Sequence, residues 1–319
     1  MKVAVIGAGV MGCAAAWALR ERGAEVTVHE QFGPDHDRGS SHGRTRIFRV
    51  AYPEAFWVRL AQEAYAGWND LDPGLLGLYG LIELVADSAL TSARALDECG
   101  VPYRVLDEEE VRAHGAVLPD GWAALYVPDA GVVFADRARH AFLGAAGVEV
   151  ETNRRIESTD ELDADAVVVT AGSWVRHLVP GVPVTVTRET VAYFEREGPP
   201  PPSIVDLNAE TGGHGMYSLH DPVHGLKAGA HHAGPEADAD TEAAPDAAIV
   251  DRISAWVRER FPDVDPNPVQ AQTCLYTTTA DEQFVLERRG RVVVGSACSG
   301  HGFKFAPAVG RRLAELALA

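Results

Sequence analysis

Val3-Ala4-Val5-Ile6-Gly7-Ala8-Gly9-Val10-Met11-Gly12 opens the chain and decides its architecture. The apolar run 3–6 has the length and β-branched content of a buried strand, and residues 13–22 continue as a helix. Residues 26–29 form the next strand, which ends at Glu30, 18 residues beyond Gly12. This is a βαβ unit. In such a unit the first glycine permits the tight turn and the second lets a pyrophosphate approach the backbone. The third packs helix on strand, so that the helix N-terminus faces the phosphates. Glu30 is placed to accept hydrogen bonds from a ribose and to repel a 2′-phosphate. An incidental glycine turn is the plain alternative, and strand, helix and acid in register argue against it. The motif by itself leaves NAD and FAD both open.

Outward from this unit, Phe56, Leu60, Ala64 and Trp68 recur on one face and predict a helix over 55–70. Residues 78–85 read as a strand, 92–99 and 107–114 as short helices, and 147–151 and 166–170 as strands. Period-two alternation over 185–194, and more weakly over 225–230, predicts an antiparallel sheet. Residues 247–261 read as a helix with Ile249, Ile253, Trp256 and Val257 on one face. Two stretches break the pattern: 198–202 is proline-rich, and 234–245 is acidic, alanine-rich and expected to be a solvated loop. No repeat of the solenoid kind is present.

A second corner lies at the far end of the chain. Ser299-Gly300-His301-Gly302-Phe303-Lys304-Phe305 follows the β-branched run Val292-Val293-Val294 and precedes a helical stretch over 308–318. Strand, glycine turn and helix again make a ligand cradle, and Lys304 can point at whatever is bound. Two such corners suggest one cofactor clasped by both ends of the chain.

The bulk properties are those of a globular protein, 319 residues, 46% hydrophobic and 23% charged, long enough for two moderate domains or for one large domain with an inserted layer. A net charge of −18 argues against nucleic acid or an anionic membrane as partner. An anionic ligand must therefore meet a local concentration of cations. The densest is Gly39-Ser40-Ser41-His42-Gly43-Arg44-Thr45-Arg46-Ile47-Phe48-Arg49. A solvated basic loop is the usual fate of such a run, but Ile47 and Phe48 interrupt it, and Arg49 could clamp a carboxylate with two parallel hydrogen bonds. Cys13, Cys99, Cys274 and Cys298 show neither a CxxC pair nor metal-type spacing, so no metal site is expected and a reduced compartment fits. The apolar stretch reaching Leu19 resembles a signal peptide, but its glycines and the following Arg20-Glu21-Arg22-Gly23 fit strand, turn and helix better. The expected location is cytoplasmic.

Taken singly, Thr273-Cys274-Leu275-Tyr276 reads as core and Lys227, within Gly225-Leu226-Lys227-Ala228-Gly229-Ala230-His231, as a surface lysine on an edge strand. Taken together, the two glycine corners, the 39–49 segment, Thr-Cys-Leu-Tyr and Ser-Gly-His-Gly-Phe-Lys-Phe resemble monomeric sarcosine oxidase and N-methyltryptophan oxidase. These belong to the D-amino-acid-oxidase-like flavoproteins. Residues 165–174, ending Thr170-Ala171-Gly172-Ser173-Trp174, resemble that superfamily's middle FAD-domain strand and turn. The resemblance covers almost the whole chain.

It implies an α/β fold: a Rossmann-like FAD-binding domain (1–76, 134–183 and 282–319) interleaved with an α+β substrate domain (77–133 and 184–281) built on an antiparallel or mixed sheet. It implies FAD bonded through Cys274, and a carboxylate grip formed by Arg49 and Lys304. Lys227 is implied to promote the reaction of reduced flavin with oxygen, while His42, Arg46, His231 and Tyr276 line the flavin and substrate face. The implied cofactor contacts are Gly7, Gly9, Gly12, Glu30, Ser40, Arg46, Thr170, Ala171, Gly172, Trp174, Cys274, Gly300, His301, Gly302, Phe303 and Lys304. The implied function is oxidation of a secondary amino acid, N-methyl or cyclic, to an imine by a monomer, with O2 reduced to H2O2. A dehydrogenase or ring-desaturating tailoring enzyme using another acceptor is the alternative, and a non-catalytic flavin-binding subunit is a third.

The chain departs from its relatives in places. It is shorter by several tens of residues, passes from 148–151 to the middle FAD strand without the usual hairpin, and ends soon after its last helix. The loop between Tyr217 and Lys227 is one residue tighter, and Ser41 and Arg44 replace a histidine and an acid. These departures bear on the substrate more than on the chemistry.

Overall fold

The computed structural model describes residues 1–86, 90–206 and 215–319. The first third of the chain runs β1 (Lys2–Ile6), α1 (Val10–Glu21), β2 (Glu25–His29), β3 (Thr45–Phe48), α2 (Ala55–Leu71), β4 (Leu76–Gly77), β5 (Leu81–Val85) and α3 (Ala93–Cys99). The middle runs β6 (Arg104–Leu106), α4 (Glu108–Ala113), β7 (Ala123–Val127), β8 (Gly131–Phe134), α5 (Ala135–Ala146), β9 (Val150–Glu151), β10 (Ala166–Val169), α6 (Val175–Leu178) and β11 (Val184–Glu195). The remainder is β12 (Ser203–Asp206), β13 (Met216–Asp221), β14 (Gly225–Ala230), α7 (Ala247–Arg260), β15 (Gln270–Thr279), β16 (Val285–Arg289), β17 (Val292–Ser296) and α8 (Ala306–Leu318).

Three sheets result among the described residues. One has six strands in the order β16-β17-β10-β1-β2-β9, parallel except where β16 joins β17. Its central strands are apolar on both faces: Val3 to Ile6 and Ala166 to Val169 are all buried, as a parallel sheet covered by helices requires. Helix α1 is buried almost all round, from Val10 to Leu19, because α5, α8 and the sheet enclose it. The second sheet has eight strands in the order β15-β11-β14-β13-β12-β5-β7-β6, antiparallel except for β12 beside β5. Helix α7 covers one face of it with Ile249, Ile253, Trp256 and Val257, the residues its period indicates. A small antiparallel sheet, β3-β8-β4, completes the set.

Several local expectations shift. Helix α1 starts three residues before position 13, so Gly12 lies inside its first turn. The 78–85 strand is shorter than expected: only Leu81–Val85 (β5) joins the large sheet, and a separate two-residue strand, β4, precedes it in the small sheet. Helix α5 escaped the sequence reading because its buried stripe, Ala135, Ala138, Phe142 and Ala146, is mostly alanine. The 234–245 stretch is not a solvated loop throughout. Ala239 is buried, and Asp240 accepts hydrogen bonds from Trp174 Nε1 at 2.7 Å and Arg155 Nη1 at 3.0 Å. No helix among the described residues is long and apolar enough to cross a membrane.

Candidate active site

The carboxyl ends of β1, β10 and β17 open onto one cavity, which encloses about 2040 Å³ of non-protein space with its mouth included. Open α/β sheets bind ligands at this edge. At the N-terminal corner Gly7 adopts φ +98°, a conformation L side chains rarely hold. A Cβ on Gly12 would stand 1.9 Å from Gly7 O and 2.7 Å from Thr170 Oγ1. The bare backbone here is what a dinucleotide pyrophosphate needs, so the residues present fit FAD. The Glu30 carboxylate accepts from Ala8 N at 2.8 Å and Phe32 N at 3.0 Å. Burial disfavours its charge, but hydrogen bonds from His36 and from these two amides outweigh burial and hold its pKa below the ordinary value. Glu30 is thus held ionised and fixed beside the N-terminal corner.

The 39–49 segment crosses between the two corners, and its arginines are tied down rather than solvated. Arg46 Nη2 donates to Ser40 O at 2.8 Å and His42 O at 2.6 Å. Arg44 grips Asp221 on the β13–β14 hairpin. The Ser40 hydroxyl donates to Leu275 O, and Ser41 Oγ accepts from Val10 N at 3.0 Å, at the start of α1. Ser41 Oγ therefore satisfies the amide of the first residue of α1, a contact the sequence reading did not assign.

At the C-terminal corner Gly300 has φ +70°, and a Cβ there would lie 2.5 Å from the His231 ring and 2.7 Å from the Tyr276 ring. Only glycine lets both rings close on the turn. Lys304 is 5% exposed; its Nζ donates to His301 O at 2.6 Å, and its carbonyl accepts from Trp68 Nε1 at 2.8 Å. The guanidinium carbon of Arg49 stands 4.2 Å from the centre of the Tyr52 ring, and Lys304 Nζ stands 5.8 Å from it. Both basic side chains thus come to one aromatic ring. Burial, then the charge of Arg49, pushes the Lys304 pKa well below the ordinary lysine value. Burial also works against Arg49, but Tyr52 and Glu83 more than offset it and raise its pKa.

Lys227 is 4% exposed, with Nζ 3.4 Å from Thr45 O. Burial, followed by the charge of Arg46, lowers its pKa to about 7. Burial also pushes His42 down to about 4, His301 down to about 3, and His231 well below the ordinary imidazole value. At neutral pH all three are uncharged. The Cys274 thiol is raised by burial, against the opposing pull of Arg46 and Lys227. Ligand-type atoms of His231, His232 and Glu282 lie within 4.8 Å of one another. The charges of Arg49 and Lys304, which act on His231, disfavour a cation at that spot.

Every site residue named from the sequence lines this one cavity except Gly12, whose part is to let helix meet strand. Residues as distant in sequence as Gly7 and Lys304 are brought to a single surface. Beyond Ser41, the sequence reading assigned no role to Arg139, whose Nε donates to Ala8 O at 3.2 Å, or to Glu83. Tyr217 also lines the cavity and bonds to Tyr276. A Cβ on Gly229 would meet its hydroxyl at 2.5 Å, so the small residue opposite Tyr217 was a usable signal.

The chain matches the family model "FAD dependent oxidoreductase" over residues 2–316. It is 31% identical to peroxisomal sarcosine oxidase of Homo sapiens, over 98% of this chain and 91% of that protein. It is 32% identical to monomeric sarcosine oxidase of Streptomyces avermitilis, over 99% of this chain and 93% of that protein. Among solved structures, the open form of NikD, an unusual amino acid oxidase essential for nikkomycin biosynthesis, superposes with a TM-score of 0.86. That match has 24% identity and covers 99% of this chain and 93% of NikD, so it speaks for the fold. A dinucleotide cradle at one end of the cavity, a glycine–lysine corner at the other, and likeness along nearly the whole chain have one common explanation: this chain belongs to the FAD dependent oxidoreductase family.

Proposed function

We propose that the chain oxidises a secondary amino acid, N-methyl or cyclic, to its imine, passing two electrons through FAD to O2 and releasing H2O2. Bound FAD supplies the acceptor for the hydride equivalent. The observation that carries this reading is the placement of Arg49 and Lys304 at Tyr52, in the same cavity as Lys227 and Cys274. Arg49 and Lys304 would hold the substrate carboxylate and so fix the α-carbon and N-alkyl group, a positioning effect that contributes several kcal/mol. The amine must be neutral to give up hydride, and the neutral His231 and His301 would accept a hydrogen bond from it without adding positive charge beside it. Lys227 would stabilise negative charge as it develops on oxygen, in a pocket where a buried cation acts strongly. Cys274 is the residue we assign to a covalent link with FAD.

The sheet composition supports the proposed division of labour. All six strands of the parallel sheet come from 1–76, 134–183 and 282–319, and all eight of the large sheet from 77–133 and 184–281. The small sheet, β3-β8-β4, draws on both sets and joins them. We therefore assign FAD to the first set and substrate recognition to the second, within a monomer. The test is a peroxide-coupled screen of purified protein across sarcosine, N-methyl amino acids, proline and pipecolate. Peroxide from at least one is expected; a protein that stays colourless with added FAD, or makes no peroxide with any of them, removes the proposal.

A further inference from the structure

Glu83 is a buried acid with no part in the chemistry outlined above. It lies within β5, opposite Leu125 of β7 on one side and Val205 of β12 on the other, and it is 1% exposed. A carboxylate in the interior of a sheet is costly unless a cation answers it. The answering cation is Arg49, whose Nη1 stands 3.6 Å from Glu83 Oε1. That oxygen accepts no hydrogen bond from a described residue, so charge is what joins the two groups. The guanidinium thus brings Nη1 to Glu83 and lies over the Tyr52 ring, with which it also hydrogen-bonds; a five-donor guanidinium keeps further N–H groups that a ligand could use.

We propose that Glu83 is the standing counter-ion of Arg49 and a specificity-determining residue, so that a carboxylate ligand binds tightly only when Glu83 carries a proton. This rests on the assignment of Arg49 and Lys304 as the carboxylate grip. An ionised Glu83 already neutralises Arg49, and a second carboxylate on the same guanidinium would meet like charge in a poorly solvated place. Protonation of Glu83 removes that repulsion and releases the charge of Arg49 to the ligand. Burial favours the protonated form; Arg49, then the Ser92 hydroxyl, favours the ionised one, and the carboxyl ends above its ordinary value. The other groups that bear on the pair are Tyr52 and Glu282, with Lys304, His301 and His231 on the far side of Arg49. The sign follows: as pH rises Glu83 ionises, and carboxylate affinity falls. Lys304 loses charge over the same direction, so removing Glu83 is what separates the two effects.

The experiment uses FAD-loaded protein and a non-reacting probe, 2-furoate, with its uncharged amide as control; binding is read from the change in the flavin absorption band. Glu83→Gln is expected to bind 2-furoate about tenfold or more tightly than wild type at pH 8, corresponding to one unit of pKa coupling. The gap should close towards pH 5, and the amide should bind both proteins alike. Equal 2-furoate affinities at every pH, or a matching gain for the amide, overturns the role of Glu83 while leaving the carboxylate grip intact. Failure of 2-furoate to bind either protein overturns both. Should Glu83→Gln not fold, calorimetry of wild type in two buffers of different ionisation heat reads the proton directly. Uptake of a proton on binding that persists in Lys304→Met is expected, and its loss in that variant overturns the proposal.

Discussion

Arg44 and Asp221 face each other across the joint between β3 and the β13–β14 hairpin, with Nε 2.7 Å from Oδ2 and Nη2 3.0 Å from Oδ1. Asp221 is fully buried and also accepts from Val223 N at 3.1 Å and His224 N at 2.9 Å. One carboxylate therefore closes the hairpin and pins it to the strand that carries Arg46. Because β14 carries Lys227 and Lys227 leans on Thr45, this latch sets the distance between the lysine and the 39–49 segment.

Asp221→Ala should cost about 3 kcal/mol in urea or thermal unfolding, since it strips a two-pronged pair and two amide acceptors. Burial raises the Asp221 pKa, but the hydrogen bond from Arg44 and those from the amides outweigh it, and the net shift is downward. The contribution is therefore complete above the ordinary aspartate value and is lost as pH falls through the depressed folded value. Asp221→Asn should lose less. An unchanged melting curve at pH 7 would refute the latch.

Lys227→Met should slow reoxidation of the reduced enzyme by air by at least about a hundredfold, the scale on which a fixed charge in a dry site acts. In wild type that rate should fall as pH rises through about 7, where Lys227 loses its proton. The same substitution should stabilise the protein below that pH. A lysine whose folded pKa lies below its unfolded one opposes folding wherever it must be charged, and that penalty fades as pH climbs from about 7 towards the unfolded value. Stopped-flow reoxidation and thermal unfolding at pH 6 and 9 measure the two effects together.

Gly12→Ala should abolish cofactor retention. Its methyl group would stand 1.9 Å from Gly7 O, a backbone atom with no room to retreat. A visible-absorbance ratio of flavin to protein near zero is expected, with a loss of stability of about 3 kcal/mol from overpacking. Normal flavin content would show that the corner is looser than its geometry.

Cys274→Ser should leave the protein yellow when native and release the colour on acid precipitation. Wild type should keep its colour in the pellet. Colour lost from the wild-type pellet would dismiss the covalent link without touching the rest of the site.

Much of this site was legible in the sequence because backbone necessity fixes its glycines. Gly7, Gly12 and Gly300 are where a Cβ or a negative φ is excluded, and such positions announce themselves. The apolar runs of β1, β10 and β17 announced the parallel sheet in the same way. What stayed hidden depends on partners far along the chain. Arg44 reads as part of a basic run, and Arg49 as a carboxylate clamp with no standing partner, until Asp221 and Glu83 are seen beside them. The 234–245 stretch read as solvated because nothing local tells that Trp174 and Arg155 hold Asp240. Helix α5 was missed because alanine gives its buried face little contrast. Pairing of charges across a fold leaves no local period for a sequence reading to find.

The central claim is that this cavity takes electrons from an amino acid anchored by Arg49 and Lys304. Its most direct test is to mix FAD-loaded protein, without oxygen, with N-methyl and cyclic amino acids and to follow the flavin absorption band. At least one of them should bleach the band completely, with colour and one equivalent of peroxide returning on admission of air. Arg49→Gln should need a far higher concentration of that compound. A band that no such amino acid bleaches, or one that Arg49→Gln bleaches at the wild-type concentration, would contradict the account.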